Sequence, residues 1–148
     1  MSAVSLTLAK QYLRIDAGYT AEDELIQLMI DAAENDIEVY TSHVLAQRDY
    51  TLVGAGCEER VYLYPIADIS EDVKHHTYAL YTSFDLKKDV STTFKVGYAS
   101  YEDIPKQLIT AVLKQVTYMF ENRDTYEAAL HTDVKSMINQ LRRAIVAV

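Results

Sequence analysis

Thr92-Thr93-Phe94-Lys95-Val96-Gly97-Tyr98 is followed closely by Ile104-Pro105 and then by an apolar run that closes on Tyr118-Met119-Phe120-Glu121-Asn122-Arg123. The first segment reads as a strand, the acidic stretch after it as a loop, and the proline as a helix start, where a missing amide proton costs nothing. One sheet edge is thereby tied to one long buried helix. The order points to an assembly module rather than an enzyme, because no segment concentrates catalytic groups in the same way.

Working outward, Leu108, Ile109, Ala111, Val112, Leu113, Val116, Tyr118, Met119 and Phe120 leave only a thin polar stripe of Thr110, Lys114, Thr117 and Glu121 on this helix, placed at 104–124. Such a helix is buried on most sides, either as the centre of the monomer or with one face on a partner. Upstream, 47–100 has strand character: Tyr50 and Leu52, then Val61 and Leu63, read as two strands joined by a turn bearing Gly54 and Gly56. Pro65 ends the second strand or places it at an edge. Further strands fit Thr77 to Phe84 and Thr92 to Tyr98, with Asp85 to Asp89 between them.

The N-terminal part, 5–46, is helical. Ser5 or Thr7 caps a short helix through Leu13, and Thr20 with Asp23 resembles a capping box ahead of a long helix that ends near Ser42. Ile26, Met29, Ile30, Ala33, Ile37 and Tyr40 form its apolar stripe, and Glu24, Gln27, Asp31, Glu34, Asn35 and Glu38 a wet acidic one. A last amphipathic helix is expected over 132–146. The fold class is α+β and mainly helical: about four helices, with a small antiparallel β-sheet inserted between the second and third, in a single domain spanning 1–148.

The formal net charge of -8 argues against gripping DNA or an anionic membrane, since both are bound by neutralising phosphates with Lys and Arg. An acidic wall instead lets DNA slide past. Residues 1–46 set Lys10 and Arg14 against eight carboxylates, while 131–148 set Lys135, Arg142 and Arg143 against Asp133 alone, a polarity that suits head-to-tail neighbours or simply solvated faces. Twelve tyrosines and no tryptophan fit strands, with a share available to interfaces. The lone Cys57 excludes an internal disulfide and fits a reducing compartment, and no run is long and apolar enough for a signal peptide or membrane anchor.

Chemistry is thinly supported. His75 and His76 are neighbours in a strand and point to opposite faces, and no HxxxH or HExxH spacing exists, so no metal is expected. Cys57 lies beside Glu58 and Glu59, whose charges oppose thiolate formation. Carboxylate pairs lie in wet segments, and Gly54-Ala55-Gly56 lacks the context of a nucleotide loop. No catalytic residue and no cofactor are assigned. A small-molecule-binding or regulatory module, and a metal-free hydrolase built on one buried carboxylate, stand as alternatives to an assembly role.

The ordered set of Leu8-Ala9-Lys10-Gln11-Tyr12-Leu13-Arg14-Ile15-Asp16, Val39-Tyr40-Thr41, Leu63-Tyr64-Pro65-Ile66-Ala67-Asp68-Ile69, Phe94 to Tyr98, Ile104 to Ala111 and Tyr118 with Glu121-Asn122-Arg123 resembles the head-tail connector (adaptor) proteins of tailed bacteriophages and prophages. Members often carry a tryptophan or second aromatic before Tyr-Glu-Asn-Arg, where this chain has Tyr118-Met119-Phe120. The resemblance implies a homo-oligomeric ring, usually dodecameric, beneath the portal protein in the virion neck. Such a ring extends the DNA channel without specific DNA binding and offers a platform to the next neck or tail-completion protein. It also implies no catalysis, no membrane, and synthesis in the bacterial host cytoplasm.

Two sets of site residues follow as expectations. The lumen-facing acids are Glu24, Asp31 and Glu38, or Glu58 and Glu59, with nothing in the sequence to choose between the sets. The last helix, through Val134, Met137, Ile138, Leu141, Arg142 and Ile145, either docks on the portal or packs on its own domain.

Overall fold

The structure is a computed structural model that describes residues 2–123 and 130–143. Four helices and six strands follow in the order α1 (Leu6–Leu13), α2 (Asp23–Thr41), β1 (Arg48–Val53), β2 (Glu58–Val61), β3 (Ile66–Ala67), β4 (His75–Thr77), β5 (Thr82–Asp85), β6 (Ser91–Val96), α3 (Lys106–Glu121) and α4 (Thr132–Ile138). The mixed α+β class is as expected, with the strands between α2 and α3. Short 3-10 turns precede α3 and follow α4 at Tyr101–Asp103 and Asn139–Leu141.

Ser5 caps α1 by accepting from the Leu8 amide at 3.2 Å, and Arg14 closes it in the left-handed region. The Thr20 cap does not form: α2 starts two residues later with Glu22 at the N-cap and no side-chain cap bond. Its first turn is held from outside. The Lys10 ammonium donates to the carbonyls of Ala17 at 3.2 Å and Tyr19 at 2.6 Å and pairs with Asp23 at 2.8 Å, fixing the α1–α2 loop around a buried charge.

The helical core takes Ile26, Ile30, Ala33 and Ile37 from α2, Leu108, Val112 and Val116 from α3, and Val134 and Ile138 from α4. These recur at three- and four-residue spacing, the apolar stripe of each helix. The acidic stripe of α2 is less wet than its sequence suggests. Glu34 is 8% exposed, and its carboxylate accepts from Ser2 Oγ at 2.7 Å and the Val4 amide at 2.8 Å. That carboxylate holds the N-terminal segment, which carries the buried Val4 into the core. Burial pushes the Glu34 carboxyl up, while the bonds from Ser2 and Val4 pull it partly back.

The expected single sheet is two antiparallel sheets of three strands, ordered β1-β6-β3 and β2-β5-β4. Strands β1 and β2 are not a hairpin. β1 pairs with β6, placing Tyr50 opposite Phe94, and β2 pairs with β5, placing Val61 opposite Thr82. Gly54 sits where the chain leaves β1 and crosses the β5–β6 connection, and a Cβ there would lie 2.4 Å from the Lys87 carbonyl. The glycine serves a close backbone crossing instead of a tight turn, so the residues after it are free to enter the other sheet. The stretch from Thr77 to Phe84 is itself the hairpin, turning through Tyr78 to Tyr81, where the Tyr78 amide donates to the Tyr81 carbonyl at 2.8 Å.

Strand β6 alternates Thr92, Phe94 and Val96 inward with Ser91 and Thr93 outward. Phe94 stacks on Phe84 of the other sheet with ring centroids 4.9 Å apart and planes within 9°, joining the sheets in a second core with Val44, Val61, Leu86 and Val96. Adjacent residues Val44 and Leu45 enter the sheet core and the helical core respectively. Gly97, at φ +104°, turns the chain out of β6 where an added Cβ would lie 2.7 Å from the Ala46 carbonyl, and the turn brings Tyr98 against His43 and leads on to α3.

Candidate assembly surfaces

The outward face of α2 combines acids with exposed aliphatic side chains. Leu28 is 66% and Val39 76% exposed, on the same face as Glu24, Asp31 and Ala32, all exposed. Between α2 and the end of α3 lies a groove of about 270 Å³ lined by Leu25, Leu28, Met29, Ala32, Met119 and Arg123. Arg123 closes one end. Its Nε donates to the Phe120 carbonyl at 3.2 Å, its guanidinium lies over the Phe120 ring at 4.2 Å, and Nη1 pairs with Glu22 at 2.7 Å. This bond holds the Glu22 carboxyl below the usual carboxylate range and ties the start of α2 to the end of α3.

The acids proposed from the sequence have separate fates. Glu24 is exposed, and Asp31 is exposed and accepts from Gln27 Nε2 at 2.9 Å. Glu38 is engaged: one oxygen accepts from the Leu45 amide at 2.7 Å and the other pairs with Arg48 at 2.9 Å, fastening α2 to the entrance of β1. Glu58 is exposed and lies 3.7 Å from Arg60, while Glu59 accepts from the Ala55 amide at 3.0 Å. The two sets lie on different elements, α2 and β2, and form no single cluster.

The β4–β5 turn carries an exposed aromatic tip. Tyr78 stacks on Tyr81 with centroids 4.7 Å apart, His76 meets the Tyr78 edge at 4.4 Å, and Arg60 lies 5.1 Å over Tyr81. Tyr78 is 44% and Leu80 39% exposed. The strand expected over Thr77 to Phe84 hides this tip, because it places Tyr78 to Tyr81 in a strand interior. The signal was Tyr-Ala-Leu-Tyr interrupting strict alternation of polar and apolar residues.

Beneath the tip, Arg143 donates to the Ala79 carbonyl and lies 4.4 Å over the Tyr64 ring, and its own amide donates to the Thr41 carbonyl at 3.2 Å. His43 Nδ1 meets Tyr98 Oη at 2.7 Å alongside. Burial pushes the Tyr98 phenol up to about 12 and, together with the Arg143 charge, pulls the His43 imidazole down. The pair ties the end of α2 to the start of the α3 connection.

Of the proposed docking helix, Val134 and Ile138 are 2% and 0% exposed and belong to the chain's own core, with Met137 and Leu141 packed half-buried against it. Arg142 remains exposed, its guanidinium 4.9 Å over the Tyr40 ring. Ile145 lies outside the described residues. The periodicity that suggested docking is thus met by packing on α3, the other outcome that the amphipathic pattern allowed. Among the described residues no group of three or more His, Cys, Asp or Glu side chains is arranged to hold a metal ion, and no helix is long and apolar enough to cross a membrane. Glu34, the one buried carboxylate among the described residues, is spent on Ser2 and Val4.

Residues 3–142 match the model of the phage gp6-like head-tail connector protein family. The fold is similar to that of a chain in the virion of a native gene transfer agent particle, with a TM-score of 0.76 at 19% identity over 97% of this chain and 91% of that one. A chain in the neck of the empty particle, computed with C6 symmetry, gives a TM-score of 0.78 at 19% identity over 97% and 91% of the two chains. One in the neck of the native particle, computed with C12 symmetry, gives 0.68 at 19% identity over 97% and 92%. No curated protein matches the sequence.

Proposed function

The chain belongs to the phage gp6-like head-tail connector family, and from that premise we propose that it is one subunit of a ring in the neck of a tailed phage, prophage or related particle, below the portal. The ring joins head to tail and extends the DNA channel. The observation that carries this reading is the family match over residues 3–142, which includes both cores and all four helices. The C6 and C12 symmetries of the necks that hold similar folds favour a closed ring, of about 12 copies if the native neck is the guide.

The surfaces fit a passive conduit. A net charge of -8 favours DNA sliding past without specific binding. Of the two acidic sets, Glu58 and Glu59 are the better lumen candidates, because the α2 face that bears Glu24 and Asp31 also exposes Leu28 and Val39, surface better covered by a protein neighbour than left in a wet channel. Glu38 is already engaged by Arg48 and Leu45. Portal contact from the C-terminal segment falls to residues left outside the core, Arg142 and Lys135 first, while the opposite rim receives the next neck or tail-completion protein. No catalytic step or cofactor is part of this role. We read the chain as a single unit made in the host cytoplasm.

Removing the coding sequence from the phage or prophage tests the reading. DNA-filled heads and separate tails, restored to joined particles when the chain is supplied in trans, are expected under the electron microscope. Normal numbers of tailed particles without the chain would refute it.

A further inference from the structure

We propose that Arg143 is a clasp across the joint between the helical and sheet cores, through which the C-terminal segment 141–143 and the β4–β5 hairpin hold each other in place, so that freeing either one loosens the other. The inference concerns contacts within one chain and goes beyond the ring reading, which neither supports it nor falls with it.

The two cores share no buried residue. Where the chain passes between them, the joint is built of rings and polar groups instead of aliphatic side chains. His43 meets the Tyr64 ring edge-on with centroids 5.1 Å apart, stacks 6.1 Å from the Tyr98 ring and joins Tyr98 Oη through Nδ1 at 2.7 Å. His43 follows α2, Tyr64 precedes β3 and Tyr98 follows β6, so three passages of the chain meet here.

The segment after α4 is laid over this joint. Tyr40 Oη donates to Asn139 Oδ1 at 3.3 Å, the His43 ring hydrogen-bonds the Leu141 backbone, and the Arg143 amide donates to the Thr41 carbonyl at 3.2 Å. These contacts hold the segment to the end of α2. The Arg143 side chain reaches further, passing 4.4 Å over the Tyr64 ring to donate to the Ala79 carbonyl in the hairpin turn. The ring contacts of that turn, Tyr78 on Tyr81 and Tyr81 with Tyr62 and Arg60, stay within residues 60–81. One side chain therefore links the C-terminal segment, the approach to β3 and the tip of the hairpin.

The clasp is of a kind that can open. Burial pulls the Arg143 guanidinium below its ordinary pKa, and among the described residues no carboxylate pairs with it. A carbonyl and a ring face hold a guanidinium less firmly than a bidentate carboxylate does. Such a contact keeps the hairpin closed on the joint without fixing it there. Coupling between two sites is reciprocal, so loosening at one end is felt at the other.

Hydrogen exchange read by mass spectrometry on the full chain tests the coupling, with α3 as internal reference. Arg143→Ala is expected to speed exchange in residues 75–85 about tenfold and to leave Lys106–Glu121 unchanged. Arg143→Lys, which keeps the charge but not the fork, falls between. From the other side, Tyr64 is 41% exposed and can be replaced without opening a core. Tyr64→Leu is expected to speed tryptic cleavage after Arg142 and Arg143 about fivefold, while Tyr64→Phe, which keeps a ring under the guanidinium, is cleaved at the native rate. Unchanged exchange in residues 75–85 overturns the clasp. So does a rise shared equally by α3, which makes Arg143 an ordinary stabilising contact. Native cleavage of Tyr64→Leu also overturns it, because the segment is then held by α2 alone. None of these outcomes touches the ring reading, which particles made without the chain test separately.

Discussion

Replacing Lys10 by methionine should cost about 2–3 kcal/mol although the residue is remote from every proposed contact. The Lys10 side chain is 5% exposed, and its ammonium is spent on three acceptors: Asp23 at 2.8 Å and the carbonyls of Tyr19 at 2.6 Å and Ala17 at 3.2 Å. Methionine fills the space of the stem but leaves all three acceptors without their donor. Breaking a fully buried ion pair from one side costs about 3–5 kcal/mol. The Asp23 side chain keeps 28% exposure and Ala17 and Tyr19 are exposed, so water recovers part of the loss. In a chain of 148 residues the remainder lowers Tm by about 4–12 °C. Urea unfolding gives the cleaner reading: the midpoint should fall with the m-value unchanged, and adding Asp23→Asn should cost less in the Lys10→Met background than in the native one. A Lys10→Met protein within about 0.5 kcal/mol of native would show that the clamp contributes nothing and that the α1–α2 loop is held by its apolar contacts.

Three further outcomes follow from particular side chains. The Glu34 carboxyl is raised by burial, so the folded state binds the extra proton and stability contributed there falls as pH rises from 4.5 through the raised value. Urea midpoints for Glu34→Gln, which can accept from Ser2 and Val4 without a buried charge, should lose that part of the slope and match or exceed native at pH 7 by about 1 kcal/mol. Gly97→Ala should destabilise by about 1–3 kcal/mol, because a Cβ at φ +104° would lie 2.7 Å from the Ala46 carbonyl; calorimetry showing an unchanged Tm would contradict this. Ile138→Ala should cost about 2–5 kcal/mol and removal of 132–148 should destabilise the whole helical core, whereas a stable truncated chain would make the last helix a separate docking arm.

The helices were legible because each carries one uninterrupted apolar stripe: Ile26, Ile30, Ala33 and Ile37 on α2, Leu108, Val112 and Val116 on α3. The central strand was legible for the same reason, Phe94 and Val96 alternating with polar residues. Strand partners were not. Gly54 reads locally as a turn, and only the Lys87 carbonyl 2.4 Å from its absent Cβ shows that it marks a crossing between sheets. Burial of polar groups was equally hidden: Glu34 and Lys10 look like solvent-facing charges until Ser2, Val4, Tyr19 and Asp23 are brought to them across the chain. Among the proposed site residues, exposure separated Glu24, Asp31 and Glu58 from the engaged Glu38, a distinction that depends on Leu45 and Arg48 and lies outside any pattern within α2. The aromatic tip was missed because strand propensity and a four-residue turn of Tyr, Ala and Leu give conflicting local signals.

Native mass spectrometry of the purified chain mixed with portal rings from the same phage or prophage weighs the connector account most directly. One discrete complex is expected, holding a fixed multiple of this chain in register with the portal and retained as salt is raised to physiological strength. Portal rings whose mass is unchanged at every concentration of the chain would contradict it.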